Sequence, residues 1–371
     1  MRNFEAAKRI VIKIGTNTLT KGNKVDSAYM RRIAGQLAAL LEAGRQVVLI
    51  SSGAIGMGTS QLRLRKNTLD MKMKMRQACA AIGQPLLMAQ YRKAFAQHGI
   101  NVAQVLLTTE VLNNRKTYLN LRNSVETLLN LGIVPVLNEN DSVSTDEIGS
   151  AFGDNDKLSA LVASKIDADL LIMLSDIDAL YDKDPRRSTA AKPISIVYEI
   201  TDEIMRAAGK RGSRFAVGGM KSKLAAAKIA ANAGCPMVLA NGRARNVIDR
   251  IMAGSRIGTV FMPTRKLSNR ARWILNSAPA GTIRIDAGAI AAVRKRKSLL
   301  PSGVTRVEEE FEHGMCVEIC GGDGKRFAKG LTNYSSSEVR RIQGKQSSEI
   351  QDVLGFKISD VIIHRDDLVL L

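Results

Sequence analysis

The chain has 371 residues, which is enough length for two domains, and it carries a formal net charge of +20. No segment approaches the roughly 20 consecutive apolar residues that a membrane-spanning helix needs, and the N-terminal residues run into the first strand without an apolar signal region. The four cysteines and three histidines show no metal-binding spacing. We therefore predict a cytoplasmic protein with no membrane segment and no metal site of its own.

The positive charge is unevenly spread. Residues 1–264 carry 37 basic and 22 acidic side chains, and residues 265–280 add four basic side chains and no acid. Residues 281–371 are close to neutral, with 14 basic and 13 acidic side chains. An excess on the first part suits an anionic substrate or a nucleic acid, and an ordinary solvated surface explains it equally well.

Residues 1–264 alternate apolar strands with helical stretches. The predicted strands are Arg9–Gly15, Gln46–Ile50, Ala103–Leu107, Ile133–Leu137, Leu170–Leu174 and, as the last of this part, Pro236–Ala240. The predicted helices are Asp26–Ala43, which Asp26 caps and Gly44 ends, then Lys157–Lys165 and Met220–Ala233. Continuous Val, Ile and Leu runs between helices are typical of an α/β fold, with a mostly parallel sheet sandwiched by helices.

The pattern changes after Pro263. We predict a first domain over residues 1–264, a linker over 265–280 and a small, mostly β domain over 281–371. Its predicted strands are Thr282–Ile285, Met315–Ile319, Ala328–Leu331, Val361–Ile363 and Leu368–Leu371. Two short predicted helices, Ala287–Arg296 and Ser335–Gln343, interrupt them.

The segment from Asn138 to Asp156 reads NENDSVSTDEIGSAFGDND and follows the apolar run Ile133–Leu137. Carboxylates and amides at this density cannot be core. They belong where a strand ends, which is the edge at which open α/β sheets bind ligands. One of Asp154, Asn155 and Asp156 can serve as a helix cap, and three consecutive polar residues exceed what a cap requires.

Two lysines stand in glycine-containing turns. Lys13 lies near the end of an apolar strand, where its ammonium can stabilise a transferring phosphoryl group and Gly15 permits close approach of the backbone. The alternative is a lysine that snorkels at the strand's mouth. Lys223 lies in the first turn of a helix that Gly218 and Gly219 open, so free N–H groups there favour phosphate. An ordinary basic helix start is the alternative.

Other polar turns follow two strands. The predicted turn Ser51–Gly58, SSGAIGMG, offers N–H groups and hydroxyls to an anion, although a tight turn alone also explains its glycines. Ser175 and Asp176 end the strand Leu170–Leu174 and suit contact with a nucleotide. Neither a Walker A pattern nor a GxGxxG fingerprint is present, so several glycine turns and lysines must hold any phosphate.

These runs together resemble the amino-acid kinase family, in its branch that phosphorylates glutamate. The matching runs are IKIGTNTLT, SSGAIGMG, VLNENDSVSTDEIGSAFGDNDKLSALVA, LSDIDALYDKDPR and VGGMKSKLAAAKIA. The C-terminal runs GTIRIDAGAIAAV, SLLPSGVTRV, FEHGMCVEIC and VIIHRDDLVLL resemble a PUA domain. The resemblance covers nearly the whole chain and implies the amino-acid kinase fold followed by a PUA domain.

The resemblance implies that ATP, with Mg²⁺ bound mainly through its phosphates, phosphorylates the γ-carboxylate of L-glutamate in the first step of proline biosynthesis. It makes Lys13 and Lys223 the lysines that stabilise the phosphoryl group, and Asp156 the residue that orients them. It assigns glutamate to Ser52, Asp141, Asp154 and Asn155. It assigns ATP to Lys13, Ser175, Asp176, Val217, Gly218, Gly219, Met220, Lys221, Ser222 and Lys223.

The resemblance also implies a homodimer or tetramer, feedback inhibition by proline and glutamyl phosphate reductase as a partner. The sequence departs from the family at two places. Ala216–Val217 stand where the family often has Gly–Thr, which removes a hydroxyl contact to phosphate. Gly56–Met57 replace smaller residues that are common in the SSGA turn.

Two other functions stay open on the residues alone. A kinase of the same fold can phosphorylate another acceptor, such as acetylglutamate, carbamate, a nucleotide or isopentenyl phosphate. PUA modules often contact RNA, so an RNA-binding or RNA-modifying protein is the second alternative. The near-neutral charge of residues 281–371 weighs against strong binding to a nucleic-acid backbone.

Overall fold

The structure is a computed structural model. It describes residues 2–21, 24–64, 71–108, 111–112, 115–143, 155–183, 185, 188–201, 204, 219–263 and 267–371. The chain divides into two compact units, Met1–Lys266 and Leu267–Leu371. Within the described ranges, no helix is long and apolar enough to cross a bilayer.

A sheet of eight strands lies at the centre of the described part of the first unit. In chain order its strands are β1 (Arg9–Ile14), β4 (Gln46–Ile50), β5 (Val102–Leu107), β6 (Val134–Glu139), β7 (Leu170–Ser175), β10 (Ile196–Val197), β11 (Met237–Asn241) and β12 (Thr259–Phe261). They lie side by side in the order β10-β12-β11-β7-β1-β4-β6-β5. Two short hairpins, β2 (Thr20–Lys21) with β3 (Lys24–Val25) and β8 (Leu180–Tyr181) with β9 (Pro193–Ile194), are the other strands in the described part of this unit.

The β11–β12 pair is antiparallel and the other pairs of this sheet are parallel, so the predicted mostly parallel α/β sheet is confirmed. The prediction that Pro236–Ala240 is the last strand of this part is wrong, because β12 follows it. With only three residues, β12 is too short to show a periodicity in the sequence.

Helices cover both faces of this sheet. The helices that the structure describes here are α1 (Thr16–Leu19), α2 (Ser27–Glu42), α3 (Ala54–Gln61), α4 (Met73–Ala96), α5 (Arg115–Asn130), α6 (Asn155–Lys165), α7 (Met220–Asn232) and α8 (Val247–Met252). Ile10 and Ile12 of β1 pack into a core that includes residues of α2 and α4, whereas Val11 packs into the opposite core with α6 and α7. This alternation follows the two-residue period of a strand.

Three helix starts bear on the site. The Asp26 side chain accepts a hydrogen bond from the Tyr29 N–H group, which confirms the predicted cap of α2. Helix α6 begins two residues before its predicted start, so Asn155 and Asp156 lie in its first turn. The predicted turn Ser51–Gly58 is wrong in its second half, because Ala54 begins α3. The glycines of GAIGMG suggested a turn, and packing against α4 makes this segment helical.

Helices α3 and α4 meet backbone to backbone. A Cβ atom placed on Gly83 would lie 1.8 Å from the Ala54 carbonyl oxygen, and one placed on Gly58 would lie 1.8 Å from the Cys79 carbonyl oxygen. Neither position leaves room for a side chain. The two glycines therefore allow the close contact that fixes α4 against the end of β4.

The second unit is a small sheet with four helices in chain order, α9 (Asn269–Asn276), α10 (Ala287–Arg294), α11 (Ser336–Ile342) and α12 (Ile350–Leu354). Its strands are β13 (Gly281–Ile285), β14 (Val304–Glu308), β15 (Cys316–Cys320), β16 (Arg326–Leu331) and β17 (Leu368–Leu370). They lie in the order β14-β13-β15-β16-β17, and only the β13–β15 pair of this sheet is parallel. The predicted mostly β domain is thus confirmed.

Two details of this unit differ from the sequence prediction. The predicted strand Val361–Ile363 is wrong, since only Ile363 pairs, through an isolated bridge to Leu299. Strand β14 was not predicted, because alternating charged residues weaken its apolar signal.

Within residues 265–280, α9 forms behind a Ser268 cap, and its Ile274 packs with Cys316 and Val369.

Candidate active site

Two lysines and one aspartate from three distant segments meet at one point. Lys13 Nζ lies 2.6 Å from Asp156 Oδ1, and Lys223 Nζ lies 2.8 Å from Asp156 Oδ2. Lys13 comes from the carboxyl end of β1, between β4 and β7. Asp156 and Lys223 come from the first turns of α6 and α7. The site therefore lies at the carboxyl edge of the parallel strands, where open α/β sheets bind ligands.

This charged cluster is buried. Asp156 is 1% exposed, and both lysine side chains are 8% exposed, so the Lys13 ammonium does not snorkel into solvent. Burial alone raises the pKa of the Asp156 carboxyl, but the charges of Lys13 and Lys223 outweigh burial and lower that pKa to about 2. Two ammonium groups held at one point of the sheet edge are suited to stabilise an anionic ligand.

The surroundings of the cluster place backbone and hydroxyl groups beside it. The Gly15 N–H group donates to the Leu174 carbonyl oxygen at 2.9 Å, and a Cβ atom on Gly15 would lie 3.5 Å from Lys13 Nζ. Ser222 Oγ donates to Asp156 Oδ2 at 3.0 Å. Gly219 occupies the N-cap of α7 without a side-chain cap, which leaves N–H groups of the first turn for an anion.

An amide network joins the cluster to the ends of β4 and β6. Asn155 Nδ2 lies 2.8 Å from the Ser51 carbonyl oxygen, 2.9 Å from Ser52 Oγ and 3.0 Å from Asn138 Oδ1. Asn138 Nδ2 donates in turn to Gln84 Oε1 at 2.9 Å. Gly53 has a φ of +101°, so a tight turn does account for this glycine.

A cavity of about 240 Å³ opens beside this network. Its lining includes Gln84, Glu139, Asn140 and Asp141. Burial raises the pKa of the Asp141 carboxyl, the neighbouring Glu139 raises it further, and the pKa reaches about 7 although Arg76 lowers it. Two acids facing one cavity suit a ligand that brings a positive charge.

Polar groups also follow β7. Asn17 Nδ2 donates to Asp176 Oδ2 at 2.8 Å, and Ser175 Oγ donates to Asp176 Oδ1 at 3.0 Å. Asp176 is exposed, and its pKa is lowered because these hydrogen bonds and Lys223 together outweigh its desolvation. Asn17 was not among the predicted site residues, since a polar residue in a short helix gives no distinctive sequence signal.

The structure brings together most of the predicted site residues that it describes. Lys13, Asp156, Lys223 and Ser222 form the charged cluster, and Ser52 and Asn155 contact each other beside it. Met220 and Lys221 stand with them in the first turn of α7. Asp154, Val217 and Gly218 lie outside the described residues, as does Ala216. Sequence reasoning missed Gln84, whose contacts depend on how α4 packs, and it named Asn138 only as part of the polar segment from Asn138 to Asp156.

Comparison with known proteins gives matches over both units. The model of the amino acid kinase family matches residues 8–241, and the PUA domain model matches residues 281–354. Glutamate 5-kinase from Pelobacter propionicus is 48% identical over 372 residues, covering 99% of this chain and 99% of its own. Glutamate 5-kinase from Methanosarcina mazei is 47% identical over 378 residues, covering 99% of this chain and 97% of its own.

Among solved structures, carbamate kinase from Giardia lamblia bound to AMP-PNP is similar to this chain in fold. It has a TM-score of 0.51 at 16% identity and covers 70% of this chain and all of its own. The family models and the full-length relatives therefore agree with the architecture of both units. The chain belongs to the amino acid kinase family, among the glutamate 5-kinases, and carries a PUA domain.

Proposed function

We propose that the chain transfers the γ-phosphoryl group of ATP to the γ-carboxylate of L-glutamate, giving L-glutamyl 5-phosphate in the first step of proline biosynthesis. The observation that carries this proposal is the buried Lys13–Asp156–Lys223 cluster beside an acid-lined cavity, in a chain whose full-length relatives are glutamate 5-kinases.

The chemistry needs positive charge more than it needs a base. A γ-carboxylate has an ordinary pKa of about 4.3, so it is already an ionised nucleophile at neutral pH. One of its oxygens forms a bond to the γ-phosphorus of ATP while the bond from that phosphorus to the ADP oxygen breaks. The barrier is the repulsion between a carboxylate and a polyphosphate, and cations reduce it.

Lys13 and Lys223 are the cations that we assign to this step. Each ammonium is held by a different oxygen of Asp156, so both stay close to one point before the substrates bind. A preorganised charge needs little rearrangement when negative charge develops at the transferring group. Asp156 acts as a positioning residue, because its carboxylate holds the two ammonium groups close together and offsets the repulsion between them.

We infer the position of glutamate, the phosphoryl acceptor, from the order of groups along the amide network. Asn155 adjoins Asp156 and contacts Ser52, so we place the γ-carboxylate of glutamate at these residues. The α-ammonium group then reaches the cavity that Asp141 and Glu139 line. We retain Asp154 as a proposed glutamate-binding residue on the family resemblance.

The nucleotide end uses the turns after β7 and before α7. We assign Ser175, Asp176 and the first turn of α7 from Gly219 to Lys223 to ATP, and Val217 and Gly218 remain proposals that rest on the resemblance. Mg²⁺ enters with ATP and neutralises part of its phosphate charge. Among the described residues no cluster of three or more His, Cys, Asp or Glu side chains could cage a metal ion. We propose that phosphate oxygens supply most of the ligands of this ion.

Three further proposals concern organisation and partners. We propose residues 1–264 as the kinase domain, 281–371 as the PUA domain and 265–280 as the connection that contains α9. We propose a homodimer or tetramer in the cytoplasm. Since the product is a labile acyl phosphate, we propose glutamyl phosphate reductase as its recipient and proline as a feedback inhibitor.

The test is an ADP-release assay with hydroxylamine, which traps an acyl phosphate as a hydroxamate. We expect ADP release and hydroxamate formation to depend on L-glutamate. N-Acetyl-L-glutamate is the matched comparison, because it lacks the positive charge that the acid-lined cavity requires. Turnover with acetylglutamate, carbamate or a nucleotide, and none with L-glutamate, would assign the chain to another acceptor.

A further inference from the structure

The amide network has a direction that is fixed at one end. The Ser51 carbonyl oxygen can only accept, so the atom 2.8 Å from it must be the Asn155 nitrogen. The same nitrogen lies 3.0 Å from Asn138, which must present its oxygen there and its nitrogen to Gln84. Gln84 therefore accepts through Oε1, and its Nε2 group is the donor at the free end.

That free end is buried without a partner. Gln84 is 8% exposed, and its Nε2 has no hydrogen-bond partner among the described residues. Leaving a buried donor unsatisfied costs about 1–3 kcal/mol, and few native groups are left so. Gln84 also lines the cavity with Glu139 and Asp141, so a ligand in that cavity can supply the missing acceptor.

The position of Gln84 is set by the backbone contact next to it. Its neighbour Gly83 lies against the Ala54 carbonyl oxygen, where even a Cβ atom would be only 1.8 Å away. Ala54 follows directly on the Ser51–Gly53 turn, which contacts Asn155. This contact places the backbone at Gln84 close to the Ser51–Gly53 turn, and the hydrogen bond from Asn138 Nδ2 orients the Gln84 amide.

Four other polar side chains in the lining are less suited to hold an anion. Glu139 and Asp141 repel one, Ser142 Oγ already donates to Asn140 Oδ1 at 2.6 Å, and Gln104 is exposed. An amino acid whose γ-carboxylate lies near Asn155 brings both an α-ammonium and an α-carboxylate to this end. The two acids suit the ammonium, and the α-carboxylate still needs a donor.

We propose that Gln84 is a substrate-binding and specificity-determining residue whose Nε2 group donates a hydrogen bond to the α-carboxylate of bound glutamate. This inference rests on the proposed function and extends it to the recognition of the α-carboxylate. It makes Gln84 a residue that discriminates between acceptors with a charged and a neutral α-group.

The test compares Gln84→Met, which has a similar length but cannot donate, with Gln84→Glu. The glutamate variant can still accept from Asn138 and so keeps the network, but it repels a carboxylate. Hydrogen bonds to charged groups contribute about 1.5–3 kcal/mol, so we expect KM for L-glutamate to rise roughly tenfold to a hundredfold in both variants. We expect kcat and the KM for ATP to change by less than about threefold, since the side chain at position 84 does not contact the phosphoryl group in either variant.

The control ligand is L-glutamate α-amide, whose α-group is neutral, measured as a substrate or a competitive inhibitor. We expect the effect of Gln84→Glu on this ligand to be within about threefold, because the repulsion is absent. Gln97→Met changes an exposed amide that follows the last residue of α4 and lies outside the cavity lining, so it should leave both ligands bound as in the wild type. Equal losses for glutamate and its α-amide would show a merely structural role and overturn the proposal, and so would unchanged KM values.

The wild-type protein separates this inference from the proposed function. If the wild type forms no hydroxamate from L-glutamate, the proposed function fails and takes the Gln84 inference with it. If the wild type turns over L-glutamate and the Gln84 variants match it, only the Gln84 inference fails.

Discussion

Replacing Asp156 by Asn removes the anion that separates two buried ammonium groups. The substitution keeps the size of the side chain and leaves Lys13 and Lys223 facing each other around a neutral group. Removing one partner of a buried ion pair typically costs about 3–5 kcal/mol, because the remaining charge stays buried and uncompensated. The lowering of the Asp156 pKa from 3.8 to about 2 corresponds to a smaller figure, about 2 kcal/mol. Asn replaces one carboxylate oxygen by an NH₂ group that only donates, whereas a protonated carboxyl keeps an oxygen at both positions, so the smaller figure is a lower bound.

We therefore expect Asp156→Asn to lose about 2–5 kcal/mol of unfolding free energy. For a unit of this size, that loss lowers Tm by roughly 5–20 °C, which differential scanning calorimetry measures directly. ATP should restore more Tm in the variant than in the wild type, because its phosphates supply the missing negative charge. Turnover should fall together with stability, since the lysines are no longer held.

The matched control is Asp178→Asn. Asp178 is an exposed carboxylate near the same edge that accepts from the Tyr181 hydroxyl, and an Asn oxygen can accept in its place. We expect its Tm to stay within about 2 °C of the wild type. An Asp156→Asn variant as stable as this control, with the same response to ATP, would refute the claim that Asp156 holds two charged lysines.

Three more outcomes follow from the same site. Lys13→Ala and Lys223→Ala should each lower kcat by roughly a hundredfold to a thousandfold and leave the KM for L-glutamate within about threefold of the wild type. Unchanged turnover in either variant would remove that lysine from the mechanism. The raised pKa of Asp141, about 7, means that its ionised fraction grows from pH 6 to pH 8, so KM for L-glutamate should fall by up to about tenfold over that range. Asp141→Asn should raise KM and flatten this pH dependence, and a variant that keeps the wild-type profile would assign the titration to another group. Gly83→Ala should lower Tm by several degrees, because its new Cβ meets only backbone atoms, whereas Gly56→Ala has open space and should be neutral or stabilising.

The parts of the fold that the sequence predicted are those that local signals determine. Strand β1 shows a β-branched apolar run, and α2 shows helical spacing between an Asp26 cap and Gly44, whose φ is +75°. Lys13 and Lys223 could be singled out because a lysine in an apolar strand and a lysine at a helix start are both costly without a partner. Their meeting at Asp156 depends on the order of the strands, which no local pattern specifies.

The residues that the sequence did not reveal depend on contacts between elements. Gly58 and Gly83 look like weak points in helices until the backbones of α3 and α4 are seen to touch there. Gln84 is one glutamine in a long helix, and only this contact brings it to the cavity. Asn17 likewise gains its role from Asp176, which lies at the end of a different strand.

The central claim is that the cluster brings two anions together so that the carboxylate itself attacks the phosphorus. The most direct test supplies L-glutamate labelled with ¹⁸O in its γ-carboxylate and traps the product with hydroxylamine, which releases phosphate. Attack by the carboxylate predicts one ¹⁸O atom in each phosphate released, at a rate that falls in Lys223→Ala. Unlabelled phosphate from glutamate-stimulated ATP hydrolysis would mean that water attacks instead, and it would contradict the account.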